Sequence, residues 1–359
     1  MREWYVKYDR IDSYCGKAKN VIVPSTLYGS EIHEIGRQAF SPNNPKVKDE
    51  TKATRSEIST VLLPEGITTI EAEAFAGCIS LVEIRLPDSL KRIGPRAFSD
   101  CVSLESIAVP KGAEICQEAF KGCKKLRKYT FPDEVGITSY DYPRGTNCTP
   151  LRCFDGCSSL EHVDLPARLG IIQAGTFSNC ISLKEVDIPE SVSVLDDYAF
   201  SSCASLERIT IPNGVSEISS LLFQNCSSLS EVKVSTSAKK ICESAFYGCV
   251  NLKHIDLPEG LMEISQKAFW NSGIEEITIP ATTQKLSSEA FIGCLSLKQI
   301  TILGAETEIV DEPHWKNMHE RLPDSCYFPN QDKLIVFGVP NSPVEQYAER
   351  YGLIFRELG

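Results

Sequence analysis

Residues 74–97 read AFAGCISLVEIRLPDSLKRIGPRA, and Ala97-Phe98 begins the same phrase again. Outward from this stretch, Phe75, Phe98, Phe120, Phe154, Phe177, Phe200, Phe223, Phe246, Phe269 and Phe291 lie 23, 22, 34, 23, 23, 23, 23, 23 and 22 residues apart, and Phe40 precedes Phe75 by 35. The two long steps are one repeat plus an insertion, so the chain carries eleven copies of one unit. A period of 20–50 residues marks a solenoid or array, in which each copy buries its apolar face only against its neighbours.

Registered on the Phe, Ala precedes it in eight of the eleven copies, and Cys follows three residues later in nine: Cys78, Cys101, Cys123, Cys157, Cys180, Cys203, Cys226, Cys249 and Cys294. Leu sits at plus six, as in Leu81, Leu104 and Leu206. An apolar-x-apolar-Pro tetrad follows, as in Ile84-Arg-Leu-Pro87 and Ile209-Thr-Ile-Pro212. Its period of two and its β-branched residues predict a short strand with one face buried. Pro cannot donate to a ladder, so it marks where the strand leaves the sheet. Ala-Phe-x-x-Cys is too short for a helix and predicts a single helical or 3₁₀ turn that drops the ring into the core.

The pattern L-x-x-I-x-L-P-x-x-L-x-x-I-x-x-x-A-F-x-x-C resembles the BspA-like (Treponema-type) leucine-rich repeats over nearly the whole chain. It departs from the usual L-x-x-L-x-L-x-x-N/C-x-L spacing, with Ser89 at the position expected to be Asn or Cys. The resemblance implies a right-handed solenoid of about eleven 22–23-residue repeats, with a parallel sheet on its concave side and short helical turns elsewhere. It also implies a non-enzymatic binding protein, since members commonly act as surface adhesins or uncharacterised binding proteins. Fold alone does not fix function.

The expected organisation is an N-terminal cap over 1–19, a solenoid over 20–302 and a C-terminal linker and strand-helix cap over 303–359. The solenoid is expected to be one elongated domain, its eleven strands spanning roughly 50 Å at about 4.8 Å spacing. Ser342, Pro343 and Glu345 form a capping-box pattern, with Gly352 suited to end that helix. Caps at both ends predict a complete solenoid. Insertions fall at about 42–57, read as a mobile polar loop, and at about 137–151, which carries Tyr140, Tyr142 and Arg144. Tyr and Arg on a loop suit an interface anchor, and equally a loop folded back over the column.

Net charge is −11, which argues against nucleic acid or an anionic membrane surface as partner. No apolar stretch approaches the ~18 residues of a membrane-spanning helix. The start, MREWYVKYDR, lacks the hydrophobic core of a signal peptide. A cytoplasmic setting is therefore expected, with a secreted or cell-surface one as the alternative if the natural chain begins earlier. Of the 15 cysteines, the nine in register point the same way into the column, poor geometry for disulfides, and read as core thiols.

Residues flanking each buried strand position face outward. Their row includes His162/Asp164, Glu185/Asp187 and His254/Asp256. His162, Asp164, Glu185 and Asp187 fall on consecutive repeats, and three readings stay open: a solvated face, a protein-contact patch and a divalent-metal site. Cys148-x4-Cys153-x3-Cys157 and His314-x4-His319 with Cys326 lack the paired spacings of zinc sites. No nucleophile elbow, phosphate loop or dinucleotide fingerprint occurs, so no cofactor and no catalytic residue is expected. The binding surface expected from the sequence is Asp164, Glu185, Asp187 and Asp256 with His162, flanked by Tyr140, Tyr142 and Arg144, for a protein partner with a basic patch. A metal-binding or enzymatic module at the same cluster, or a self-associating structural protein, are the alternatives.

Overall fold

The computed structural model describes residues 3–132, 148–310 and 333–358. They part into two compact units, Met1–Pro189 and Glu190–Gly359. Together the units hold about 14 solenoid turns, more than the eleven copies that carry the Phe, because the caps add turns without one.

The first unit opens with a hairpin, β1 (Trp4–Lys7) and β2 (Arg10–Tyr14), paired antiparallel. β3 (Asn20–Ile22) then begins a row of tetrad strands with Thr60–Leu62 and Glu83–Arg85, parallel and in register, so that Val21, Val61 and Ile84 stack inward. Further on, Lys128–Thr130 pairs with His162–Asp164. A second row runs from β2 through Glu34–Ile35, Thr69–Ile70 and Arg92–Ile93 to Glu114–Ile115. In the second unit the closing-Ile row joins Glu217–Ile218, Lys240–Ile241, Glu263–Ile264, Lys285–Ser287 and Glu308–Val310.

The third side of each turn is built around the Phe, and there the backbone alternates in an unusual way. The residue two before the Phe has positive φ in ten turns: Gly175 and nine others, among them Glu73, Arg96 and Leu221. The residue two after it is also left-handed in ten turns, there chiefly Gly, Asn and Asp, the types for which this conformation costs least. Gly77 (φ 77°) and Gly122 (φ 71°) sit at this position. The alternation turns every second peptide plane to face the same way. Glu73, Phe75 and Gly77 donate their N–H groups to the carbonyls of Pro95, Ala97 and Ser99 at 2.9, 2.8 and 2.8 Å. Leu221, Phe223 and Asn225 do the same to Glu243, Ala245 and Tyr247 at 3.0, 2.9 and 2.7 Å. These alternate donors all point to the following turn, and the carbonyls that receive them point to the preceding one, while the intervening N–H groups close bonds within their own turn, as Ala76 does to Glu73 at 3.0 Å.

The ladder delivers the rings to the core. Phe40, Phe75, Phe98, Phe120, Phe154 and Phe177 are fully buried and stack at 4.8–5.9 Å between centroids, with Tyr14 below Phe40 at 5.2 Å. In the second unit Phe200, Phe223, Phe246, Phe269 and Phe291 stack at 5.4–5.8 Å. The register cysteines complete the wall. Each thiol donates to the carbonyl of the Phe one turn earlier: Cys101 to Phe75 at 3.2 Å, Cys123 to Phe98 at 3.3 Å, Cys226 to Phe200 and Cys249 to Phe223 at 3.2 Å. Burial pushes the thiols up, Cys226 to about 12, so they remain S–H donors at neutral pH. A thiol here is a small apolar filler that also satisfies a buried carbonyl.

The backward-facing carbonyls of the ladder have no preceding Phe turn to meet in the first turn of the first unit. Ala39 is covered by the Tyr14 N–H at 2.9 Å. Ser41 and Gln38 are covered by the guanidinium of Arg55, with Nη1 at 2.7 and 3.3 Å, while Nε donates to the Tyr14 carbonyl at 2.8 Å and Nη2 to Ser13 Oγ at 2.6 Å. Arg55 is fully buried, and burial is the main cause of its lowered pKa. It lies on α1 (Asp49–Ser56), inside the segment the sequence presents as a mobile loop. That expectation is corrected. Polar composition hides a helix whose one buried residue is the cation that caps the open carbonyls.

At the other end, α2 (Pro343–Tyr351) has Ser342 as N-cap and Gly352, φ 68°, as its left-handed stop. Glu345 Oε2 accepts from the N–H of Asn341 at 2.6 Å, one residue before the cap, rather than from Ser342. Ile354–Glu357 then returns as a parallel strand.

Replacing Phe223 by Ala is expected to destabilise the protein by about 3–5 kcal/mol in chemical denaturation; a loss below about 1 kcal/mol contradicts the stacked column. Arg55→Met keeps the stem but strips donors from several buried carbonyls, and is expected to cost about 3 kcal/mol or more. Arg55→Lys should recover part of this, since it keeps the charge without the fork. An unchanged melt for Arg55→Met would remove the capping role.

Candidate functional site

The outward row divides between the two units, with His162, Asp164, Glu185 and Asp187 in the first and Asp256 in the second. In the first, the ladder sets Lys128 opposite His162 and Thr130 opposite Asp164. The side chains then close on Asp164. Thr130 Oγ1 donates to Oδ2 at 2.7 Å, His162 Nε2 donates to Oδ1 at 2.6 Å, and Lys128 Nζ lies 3.4 Å from Oδ2. These three contacts, Thr130 first, hold the Asp164 carboxyl down to about 2. The negative field expected of consecutive acidic strands is therefore offset at Asp164 by Lys128. Glu185 and Asp187 are exposed on either side of buried Val186, on a segment that keeps the alternation without joining a ladder strand. Asp187 makes no ion pair among the described residues.

In the second unit, Asp256 borders a shallow hollow of about 270 Å³ on the outward row, with His254, Glu276, Thr278 and Gln299 around it. His254, Asp256 and Glu276 are exposed, and the buried Ile255 and Ile277 between them fix their direction. Asp256 too makes no ion pair among the described residues. Elsewhere Glu275 bridges Lys253 and Lys298 on the turns before and after at 3.2 and 3.0 Å, linking three consecutive turns.

Among the described residues, no three His, Cys, Asp or Glu side chains converge so as to hold a metal ion. Cys148, Cys153 and Cys157 are buried: Cys148 accepts from Gln173 Nε2 at 2.8 Å, and Cys157 donates to the Phe120 carbonyl at 3.2 Å. Tyr140, Tyr142, Arg144, His314, His319 and Cys326 lie outside the described residues. Among the described residues, no helix is long and apolar enough to cross a membrane.

Stacked short parallel strands, an inward apolar ladder and an outward polar row define a leucine-rich-repeat protein. More narrowly, the chain belongs to the BspA type leucine rich repeat region family, whose model matches residues 46–149, 149–272 and 217–313. A leucine-rich repeat protein from Bacteroides ovatus is similar, at 23% identity over 98% of this chain and 94% of that one, with a TM-score of 0.62. The pneumococcal vaccine antigen PcpA is similar at 17% identity over 98% of this chain and 92% of that one, with a TM-score of 0.50. A leucine rich cell surface protein from Faecalibacterium prausnitzii shares 26% identity over 82% of this chain and 90% of that one, with a TM-score of 0.48. No curated protein matches the chain.

Asp164 has a folded pKa below its ordinary value. Its contribution to stability is thus complete above about pH 4 and is lost as pH falls from there through about 2. In an NMR titration the Asp164 carboxyl should show a midpoint near 2, and Thr130→Val should raise it. A midpoint at about 4, the free-peptide value, would show that the three contacts do not form in solution.

Proposed function

We propose that the chain is a non-enzymatic protein-binding scaffold whose outward strand row recognises a partner with a basic surface. The observation that carries this reading is the hollow around Asp256. It is an exposed polar depression, held on one side by the parallel pair Glu276–Ile279 with Gln299–Ile302 and from behind by buried Ile255 and Ile277, while His254–Asp256 keeps the alternation without joining a ladder. Side chains held this way lose little freedom on binding, which favours affinity from preorganisation. Asp187 on the first unit and Asp256 on the second carry charge not met by an ion pair, whereas Asp164 is already engaged. The polar row lacks aromatic area, and Tyr140, Tyr142 and Arg144 on the second insertion are the residues we assign to supply it. A surface or host-facing adhesive role is the finer form of this reading, and it rests on the family alone. The metal-dependent alternative has no observation in its favour.

The test has two stages. The immobilised protein is first used to capture partners from native extract at low and physiological salt, because an acidic row predicts binding that weakens as salt rises. Against the captured partner, Asp187→Asn with Asp256→Asn is expected to weaken binding about tenfold, mostly through the on-rate. Tyr140→Ala with Tyr142→Ala is measured separately. Unchanged affinity for both folded variants would move the site off this surface.

A further inference from the structure

A cavity lies in the N-terminal part of the first unit, away from the outward row. It is an open basin of about 980 Å³. Its charge is opposite to that of the chain. Lys7 and Arg10 from the β1–β2 hairpin, Arg37 from the first Phe turn, and Lys46 and Lys48 from the first insertion all line it. Asp12 and Glu71 are the acidic residues of the lining; Asp12 is taken up by Arg10 at 2.7 Å, and Arg37 lies 3.7 Å from Glu73, which is not part of the lining. Lys7, Lys46 and Lys48 are exposed and make no ion pair among the described residues. A chain of net charge −11 thus gathers five cations about one hollow.

A sixth positive charge stands behind the wall. Arg55 binds Ser13 Oγ and the Gln38 carbonyl, and both residues line the basin. Its described partners are neutral carbonyls, a hydroxyl and the Cys15 thiol, with no carboxylate among them. A buried cation matched only by dipoles sends its field out through the nearest opening, where low-dielectric walls concentrate it.

We propose that this basin binds a carboxylate-rich peptide segment of a partner protein. The cations come from three separate segments and ring an open space rather than converge on one point, so widely spaced negative charges suit them better than a single compact anion. β1 is the outer strand of its six-stranded sheet; the Tyr28 hydroxyl covers its Trp4 carbonyl at 3.1 Å, and the rest of the edge offers backbone pairing that a peptide can use and a saccharide cannot. Tyr5 lines the basin at 48% exposure, and Tyr28 and Tyr8 stand exposed nearby in the chain, with Lys7 Nζ 5.7 Å from the Tyr8 ring centre. Tyrosine beside Arg and Lys is the composition of binding hot spots.

The site is separate from the acidic row, so the two readings stand or fall apart. The probe is a fluorescein-labelled peptide of alternating Glu and Thr, followed by anisotropy with the full chain. Its Gln-Thr analogue and an oligogalacturonate of matched charge serve as comparisons. The Glu peptide is expected to bind, more weakly as salt rises, and the Gln peptide not to bind. Lys46→Glu with Lys48→Glu should weaken binding by about tenfold or more, while Asp187→Asn with Asp256→Asn leaves it unchanged. As a check without mutation, the Glu peptide should slow alkylation of Cys15, a half-buried thiol that lines the basin. Equal binding of the Gln peptide overturns the proposal, as does a folded Lys46/Lys48 variant of undiminished affinity, or Cys15 left unprotected. Tighter binding of the oligogalacturonate would also overturn it, by making the occupant an acidic saccharide.

Discussion

The rest of the structure depends on one hydrogen-bond ladder, in which alternate N–H groups around each Phe reach forward to the next turn. In an ordinary parallel strand, donors alternate between both neighbours. Here left-handed residues two before and two after the ring turn the peptides into a common direction. The Phe side chain is thereby aimed inward at the same height in every turn, and rings meet at a nearly constant spacing. The Cys three residues on is fixed by the same geometry, because its thiol reaches the carbonyl of the Phe one turn back. Period, stacking and thiol register are three expressions of one backbone constraint.

That constraint was legible where it touches side-chain choice. Phe, Cys and the apolar tetrad recur because each fills a fixed place, so turn boundaries and inward residues follow from spacing alone. The left-handed position before the ring was not legible, since Gln38, Arg96, Tyr198 and Leu221 share no chemistry there. The position after it leaves a fainter trace in Gly77, Asp100, Asn179 and Asn225. Arg55 was invisible for a different reason. Nothing in a Lys- and Glu-rich insertion distinguishes the one arginine that must be buried, because the need for it arises from carbonyls of residues 14, 38 and 41. At the outward row, alternation gave the direction of His162, Asp164 and Asp256. The partnership of Asp164 with Lys128 and Thr130 spans the second insertion, and only strand pairing reveals it.

The chain therefore presents two chemically distinct surfaces on one kind of scaffold. The outward row is polar and backed by buried apolar residues such as Val186, Ile255 and Ile277. The N-terminal basin is open, cationic and assembled largely from segments outside the regular repeat. Repetition makes a surface of similar side chains at even intervals, whereas a concentrated charge needs an irregularity to build it. In the first unit the hairpin and the first insertion supply that irregularity.

The one-way ladder also gives the array a direction of growth. A finished turn faces forward with three unmet N–H groups, and the turn that follows arrives with three carbonyls facing back. A chain leaving the ribosome N-terminus first makes β2 and Arg55 before most of the turns that depend on them. Each new turn can then be laid on a completed template as soon as it emerges, without waiting for distant sequence. Assembly in this direction resembles the elongation of a polar filament more than the collapse of a globule: it starts from a capped end and advances one turn at a time.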